Sequence, residues 1–147
     1  MYTRILVSLE NTKTDEAIVE HVTGLARTCK ADVVLIHVAD GFAARNIEQL
    51  ELRESEEIKK DRAYLDDVAA RLAAKGLHVD AVLAIGDPAT EIAAAALREK
   101  CDLIAMGTHG HRFVKDLVLG SVANEVRHKS LIPVLMVHSK RDQRTPP

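Results

Sequence analysis

Five short apolar runs alternate with four stretches of helical period, and this alternation constrains the fold more than any other feature of the chain. Residues 3–9, 33–38, 78–85, 101–106 and 133–138 are rich in Val, Ile and Leu and too short for helices, so they read as strands. Thr12 with Asp15 gives a capping-box-like start to a first helix that runs to about Lys30, with Ile18, Val22, Leu25 and Cys29 on one face. A polar loop containing Gly41 leads into a long charged helix over residues 47–75, whose buried side is marked by Ile58, Leu65, Val68 and Leu72. Gly76 closes it as a C-cap. Asp87 caps and Pro88 opens a third helix, where Ala93 to Ala96 permit close packing on a sheet. A fourth helix over residues 119–130 carries Leu119, Val122 and Val126 at helical spacing. Strict β-α alternation implies an α/β fold: one parallel sheet with helices on both faces. The pattern alone leaves the strand order open.

Composition narrows the function classes. The chain has 147 residues, one domain's length, and its 47% hydrophobic content is enough for a core. Lys and Arg number 20 against 22 Asp and Glu, a net charge of −2, and aromatics are 3%; docking on nucleic acid calls for a basic excess and stacking residues. The dense charges of residues 51–67 read as a solvated helix face, with a partner surface as the alternative. Cys29 and Cys101 both adjoin apolar segments, which suits a reduced pair. No apolar run reaches membrane-spanning length, and Met1-Tyr-Thr-Arg leads directly into a strand instead of a secretory pattern, so a soluble cytoplasmic protein is expected. Residues 139–147 are polar, end in Thr-Pro-Pro, and are expected to form a flexible tail.

Between the fourth strand and the fourth helix stands Gly107-Thr108-His109-Gly110, followed by nine residues and Gly120-Ser121. Gly107 and Gly110 can adopt backbone angles closed to other residues, which would turn the intervening N–H groups toward an anion. Gly120 and Ser121 would stand at a helix N-terminus, where unpaired N–H groups and the helix dipole favour a phosphate. Ordinary turn and cap glycines are the alternative reading. Ser121 likewise reads as a hydroxyl donor to phosphate or as a simple helix-start residue.

The spacing G-x-x-G-x9-G-[ST] resembles the signature of nucleotide-binding members of the universal stress protein family, and the strand runs, with Gly86-Asp87-Pro88, resemble that family's elements in order over about residues 3–138. The resemblance implies a single-domain, Rossmann-like (adenine nucleotide alpha hydrolase-like) open five-stranded parallel sheet of order 3-2-1-4-5, with the domain spanning residues 1–138. That order puts the topological switch between strands one and four, where residues 9–12 and the glycine loop both emerge and where open α/β sheets bind ligands. The resemblance further implies ATP, with Mg²⁺. Its adenine would lie near Ser8, Leu9 and the backbone of Val38, and its triphosphate along Gly107, Thr108, His109, Gly110, Gly120 and Ser121, flanked by Met106 and Val122. The family's usual Val-Asp-Gly-Ser-like run after the first strand is replaced by Leu9-Glu10-Asn11-Thr12. Glu10 keeps the carboxylate but moves it out by one methylene, which reshapes any contact with ribose or metal. The resemblance also implies a homodimer paired through residues 133–138, an exposed edge that needs covering.

Other side chains near the loop are ambiguous. His109 and His111 lie two apart, without the further ligands a transition metal would want, and Arg112 and Lys115 suit either a phosphate contact or a solvated loop. His37 reads as a satisfied core or edge histidine. Residues 9–15 contain no glycine, which sets aside a dinucleotide-binding G-x-G-x-x-G turn, and a Walker G-x-x-x-x-G-K-[ST] run is absent. The resemblance therefore implies an ATP-binding stress or signalling module. One alternative is a slow ATPase or autophosphorylating enzyme using Ser121, Thr108 or a loop histidine; another is a nucleotide-independent dimeric interaction protein of the same fold.

Overall fold

A computed structural model of the chain describes residues 1–39, 47–108 and 121–139, with side chains in the long helix from Glu56 onward. Nine elements alternate: β1 (Arg4–Ser8), α1 (Asp15–Cys29), β2 (Asp32–Ala39), α2 (Ile47–Ala73), β3 (Val79–Ile85), α3 (Pro88–Arg98), β4 (Leu103–Gly107), α4 (Ser121–Lys129) and β5 (Val134–Val137). The strands form one parallel sheet of order β3-β2-β1-β4-β5, as the family resemblance implies.

Period-2 alternation divides the core between the two faces of the sheet. Ile5 and Val7 of β1, with Val33 and Leu35 of β2, pack against Ile18 and Val22 of α1 and Leu65, Val68 and Leu72 of α2. Leu6, Val34, Ile36 and Ile104 face the other way, onto Ala89, Ile92, Ala95 and Ala96 of α3 and Ala123 and Val126 of α4. The alanines of α3 let its backbone approach the sheet closely. Ile58, at the exposed end of the α2 stripe, is only half-buried.

Helix ends follow local chemistry. Asp87 accepts from the Thr90 N–H (3.0 Å) and hydroxyl (2.7 Å), and Pro88 supplies a preset first turn. Gly76, at φ +91°, lets the chain leave α2 while the Leu77 N–H reaches back to the Leu72 carbonyl. The capping box expected at Thr12 is only half made: α1 begins at Asp15, the Thr12 hydroxyl lies 2.6 Å from that of Thr14, and Asp15 alone reaches back to the backbone.

The amino end of the sheet is tied by Arg4, whose guanidinium meets Asp80 (2.8 Å), Glu99 (3.1 Å) and Asp32 (3.6 Å). The Asp102 carboxylate accepts from the Thr3 and Arg4 N–H groups beside it. Cys29 and Cys101 are both free, and burial pushes the Cys101 thiol up to about 11, which keeps it an unreactive thiol. Ser139 is buried, so packing continues to that residue. Gly41, Leu119 and residues 140–147 lie outside the described residues.

Candidate functional site

At the switch point β1 ends at Ser8, paired in register with Met106 of β4, and the chain leaves the two strands in opposite directions across the sheet. A cleft opens there. Six of the residues expected at a ligand site, Ser8, Glu10, Met106, Gly107, Ser121 and Val122, line it together. Thr14, Asp15, Ala123 and Met136 complete the wall, none of them anticipated. The lining divides between the apolar side chains of Met106, Val122 and Met136 and the polar groups of Ser8, Glu10 and Ser121 in the first turn of α4. A flat apolar group with a polar or anionic extension suits that division.

Three expected contacts sit differently. Leu9 is 2% exposed, with its side chain in the core; its N–H donates to the Ile36 carbonyl (2.8 Å) and its carbonyl accepts from His37 Nδ1 (2.8 Å). Val38 is half-buried one strand away, against the α3 face of the core, and is not part of the cleft wall. The Thr108 N–H donates to the Val137 carbonyl (2.9 Å), which extends the β4–β5 ladder instead of turning toward an anion. His109, Gly110 and Gly120, with His111, Arg112 and Lys115, lie outside the described residues.

Gly107 acts otherwise than expected. It is the last residue of β4, in register with Val137, and among the described glycines only Gly76 and Gly86 have positive φ. A Cβ there would meet nothing closer than the Val137 carbonyl, 3.9 Å away. Its missing side chain leaves room in the cleft; the backbone angle is ordinary.

The special backbone angle belongs to Asn11, at φ +62°, a conformation Asn tolerates better than most residues. It bends the β1–α1 loop so that successive N–H groups converge on one carboxylate. Asp15 is 5% exposed and accepts from Glu10 N–H (3.0 Å), Asn11 N–H (2.8 Å), Thr12 N–H (3.4 Å) and the Tyr64 hydroxyl (2.5 Å). Burial pushes the Asp15 carboxyl up, and the bonds from Tyr64 and the three N–H groups pull it part of the way back. Burial and the neighbouring carboxylate likewise raise Tyr64, so its phenol stays a donor. Asp61 of α2 holds the same loop through Asn11, whose Nδ2 donates to it (3.1 Å), and lies 3.3 Å from Nε2 of His37 on β2. Since the Leu9 carbonyl can only accept, His37 carries a hydrogen on Nδ1. His37 is thus anchored to the loop through Nδ1, with Asp61 beside its other nitrogen.

Among the described residues no group of three or more His, Cys, Asp or Glu is arranged to hold a metal ion, and no helix is long and apolar enough to cross a membrane.

Fold and cleft together define a small open parallel α/β protein with a cleft at the topological switch point, where open sheets of this class bind ligands. Its residues 1–138 match the model of the Universal stress protein family, and the chain belongs to that family. It is similar to Universal stress protein MJ0577 of Methanocaldococcus jannaschii, 29% identical over 95% of this chain and 97% of the relative. A solved structure of MJ0577 superposes with a TM-score of 0.81 at 30% identity, covering 95% of this chain and 98% of that one. The fold is shared with a universal stress protein solved in complex with cAMP (TM-score 0.74, 21% identity, 95% and 99% coverage). It is shared also with one from Archaeoglobus fulgidus in complex with dAMP (TM-score 0.62, 19% identity, 92% and 98% coverage).

Proposed function

We propose that this chain is an ATP-binding member of its family that serves as a nucleotide-responsive stress and signalling module, as a cytoplasmic homodimer. The observation that carries the reading is the cleft itself, whose lining joins apolar Met106, Val122 and Met136 with polar Ser8, Glu10 and Ser121 at the start of α4. Met106, Val122 and Met136 would pack on the adenine beside Ser8, the Glu10 carboxylate would meet the ribose hydroxyls or the metal, and Ser121 with the glycine motif would hold the phosphates. The glycine spacing in the sequence and the adenine nucleotides bound by two proteins of the same fold support it.

Mg²⁺ fits this donor set only as a companion of the nucleotide. Asp15 and Glu10 are the carboxylates at the cleft, Asp15 is taken up by four donors of its own chain, and Mg²⁺ is commonly held by one carboxylate plus substrate phosphates, so Glu10 would be the side chain to meet the ion. When bound, the ion would neutralise phosphate charge.

Assembly follows from β5. It pairs with β4 on one side and is half-buried along its whole length, so its outer edge and that of residues 133–138 around it offer a strand-pairing surface for a second copy. Two free cysteines suit a reducing compartment. Residues 1–138, the span that the family model matches, form the functional domain.

Mass spectrometry of the nucleotide released by denaturing freshly purified protein tests the reading. ATP in near-stoichiometric amount is expected. Protein that neither retains nor takes up an adenine nucleotide would overturn it, and rapid turnover of γ-labelled ATP would favour the enzyme alternative.

A further inference from the structure

The β1–α1 loop that carries Glu10 into the cleft is held from the side by the long helix α2. Two residues one turn apart on α2, Asp61 and Tyr64, reach it at separate points. Asp61 accepts from the Asn11 side chain (3.1 Å) and lies 3.3 Å from His37, whose Nδ1 is bonded to the Leu9 carbonyl; the Tyr64 hydroxyl donates to Asp15 (2.5 Å), which in turn gathers the N–H groups of Glu10, Asn11 and Thr12. Neither Asp61 nor Tyr64 lines the cleft. Glu10 does, and its main chain has no strand ladder to fix it, because β1 has ended at Ser8.

We propose that Tyr64 and Asp61 are positioning residues for nucleotide binding: α2 sets the pose of Glu10 through Asp15 and Asn11, so that the nucleotide site and the long charged helix are energetically coupled. The proposal rests on the nucleotide-binding reading for its ligand, while the tether itself is independent of it. Coupling of this kind is reciprocal. A partner that shifts α2 would change nucleotide affinity, and bound nucleotide would steady α2, which makes this helix the face on which occupancy of the site can be read.

Tyr64→Phe removes one hydroxyl and keeps the ring. Calorimetric titration with ATP should show affinity lowered about ten-fold, the factor that corresponds to roughly 1.4 kcal/mol. The loss should vanish in a Glu10→Ala background, because a residue that acts through Glu10 has nothing left to position there. Arg71→Ala, which removes the exposed α2–α1 ion pair with Glu16, should leave affinity unchanged. Amide hydrogen exchange reads the tether without any ligand: Tyr64→Phe and Asp61→Ala should each speed exchange at Glu10, Asn11 and Thr12 while β1 and β4 amides stay as protected as in the wild type. In the wild type, ATP should slow exchange along α2. If wild-type protein binds no ATP, the nucleotide reading and with it the coupling fall, while the exchange data still decide the tether. If ATP binds and Tyr64→Phe leaves affinity unchanged, or loses equal affinity with and without Glu10, the positioning role is wrong. Unchanged exchange at residues 10–12 would overturn the tether.

Discussion

Asp15→Ala is the most informative single change, because four donors converge on that carboxylate and the residue is almost fully buried. A hydrogen bond to a charged group contributes roughly 1.5–3 kcal/mol, so simple addition over four would exceed 6 kcal/mol. Two effects reduce it. Asn11 and Thr12 are exposed, so their N–H groups can turn to water, and deleting the carboxylate also removes the cost of burying it, the same burial that pushes its titration up. The expected net loss is about 3 kcal/mol, a large part of the ~5–15 kcal/mol that holds a domain of this kind together. In urea, where slopes of about 1–3 kcal/mol per molar are usual, the midpoint should fall by at least about 1 M with the slope unchanged. Asp15→Asn, which keeps one acceptor oxygen, should fall between variant and wild type. A loss below about 1 kcal/mol for Asp15→Ala would refute the view that this carboxylate organises the loop, since even one charged hydrogen bond should cost that much.

Glu10→Ala should weaken ATP binding by about 1–2 kcal/mol in calorimetry, and Glu10→Asp tests whether the longer side chain reshapes the contact; unchanged affinity would leave Glu10 a loop carboxylate only. Ser121→Ala should weaken binding without abolishing it, because the backbone N–H at the α4 start remains, and no label from γ-labelled ATP should be lost. Val137→Lys on β5 should convert the dimer to monomer in sedimentation; a monomeric wild type at micromolar concentration, or a folded and fully dimeric variant, would remove the assembly proposal. Asp102 supplies the pH test. Burial pushes its carboxyl up, but the Arg4 and Thr3 N–H groups and the Thr3 hydroxyl outweigh this and hold it below the ordinary 3.8. Its stabilisation is therefore complete above 3.8 and fades as pH falls below that value through the lowered one, so wild type should lose more stability in acid than Asp102→Asn.

The strands and helix faces were legible because burial on a sheet leaves period-2 and period-3.6 traces: Leu65, Val68 and Leu72, and Asp87 with Pro88, stand where the pattern put them. Strand order came from family resemblance, since parallel crossovers of similar length permit several orders. The loop network left no such trace. Tyr64 lies 49 positions from Asp15 in the chain, and Asp61 lies 50 from Asn11, so no local spacing connects them. A glycine-free loop gave no warning of positive φ at Asn11, although Asn is the residue to suspect there. Gly107 was read for its backbone freedom, whereas it ends a regular strand and matters for the space beside it.

That space supports the most direct test of the central claim. Gly107→Val adds a side chain where the fold has room, its Cβ no closer than 3.9 Å to the Val137 carbonyl, at a residue that lines the cleft. Titration calorimetry with ATP and Mg²⁺ on wild type and on a Gly107→Val variant of unchanged urea midpoint should give saturable binding in the first and none in the second. Equal binding in both, or none in the wild type, would contradict a nucleotide site at this switch point.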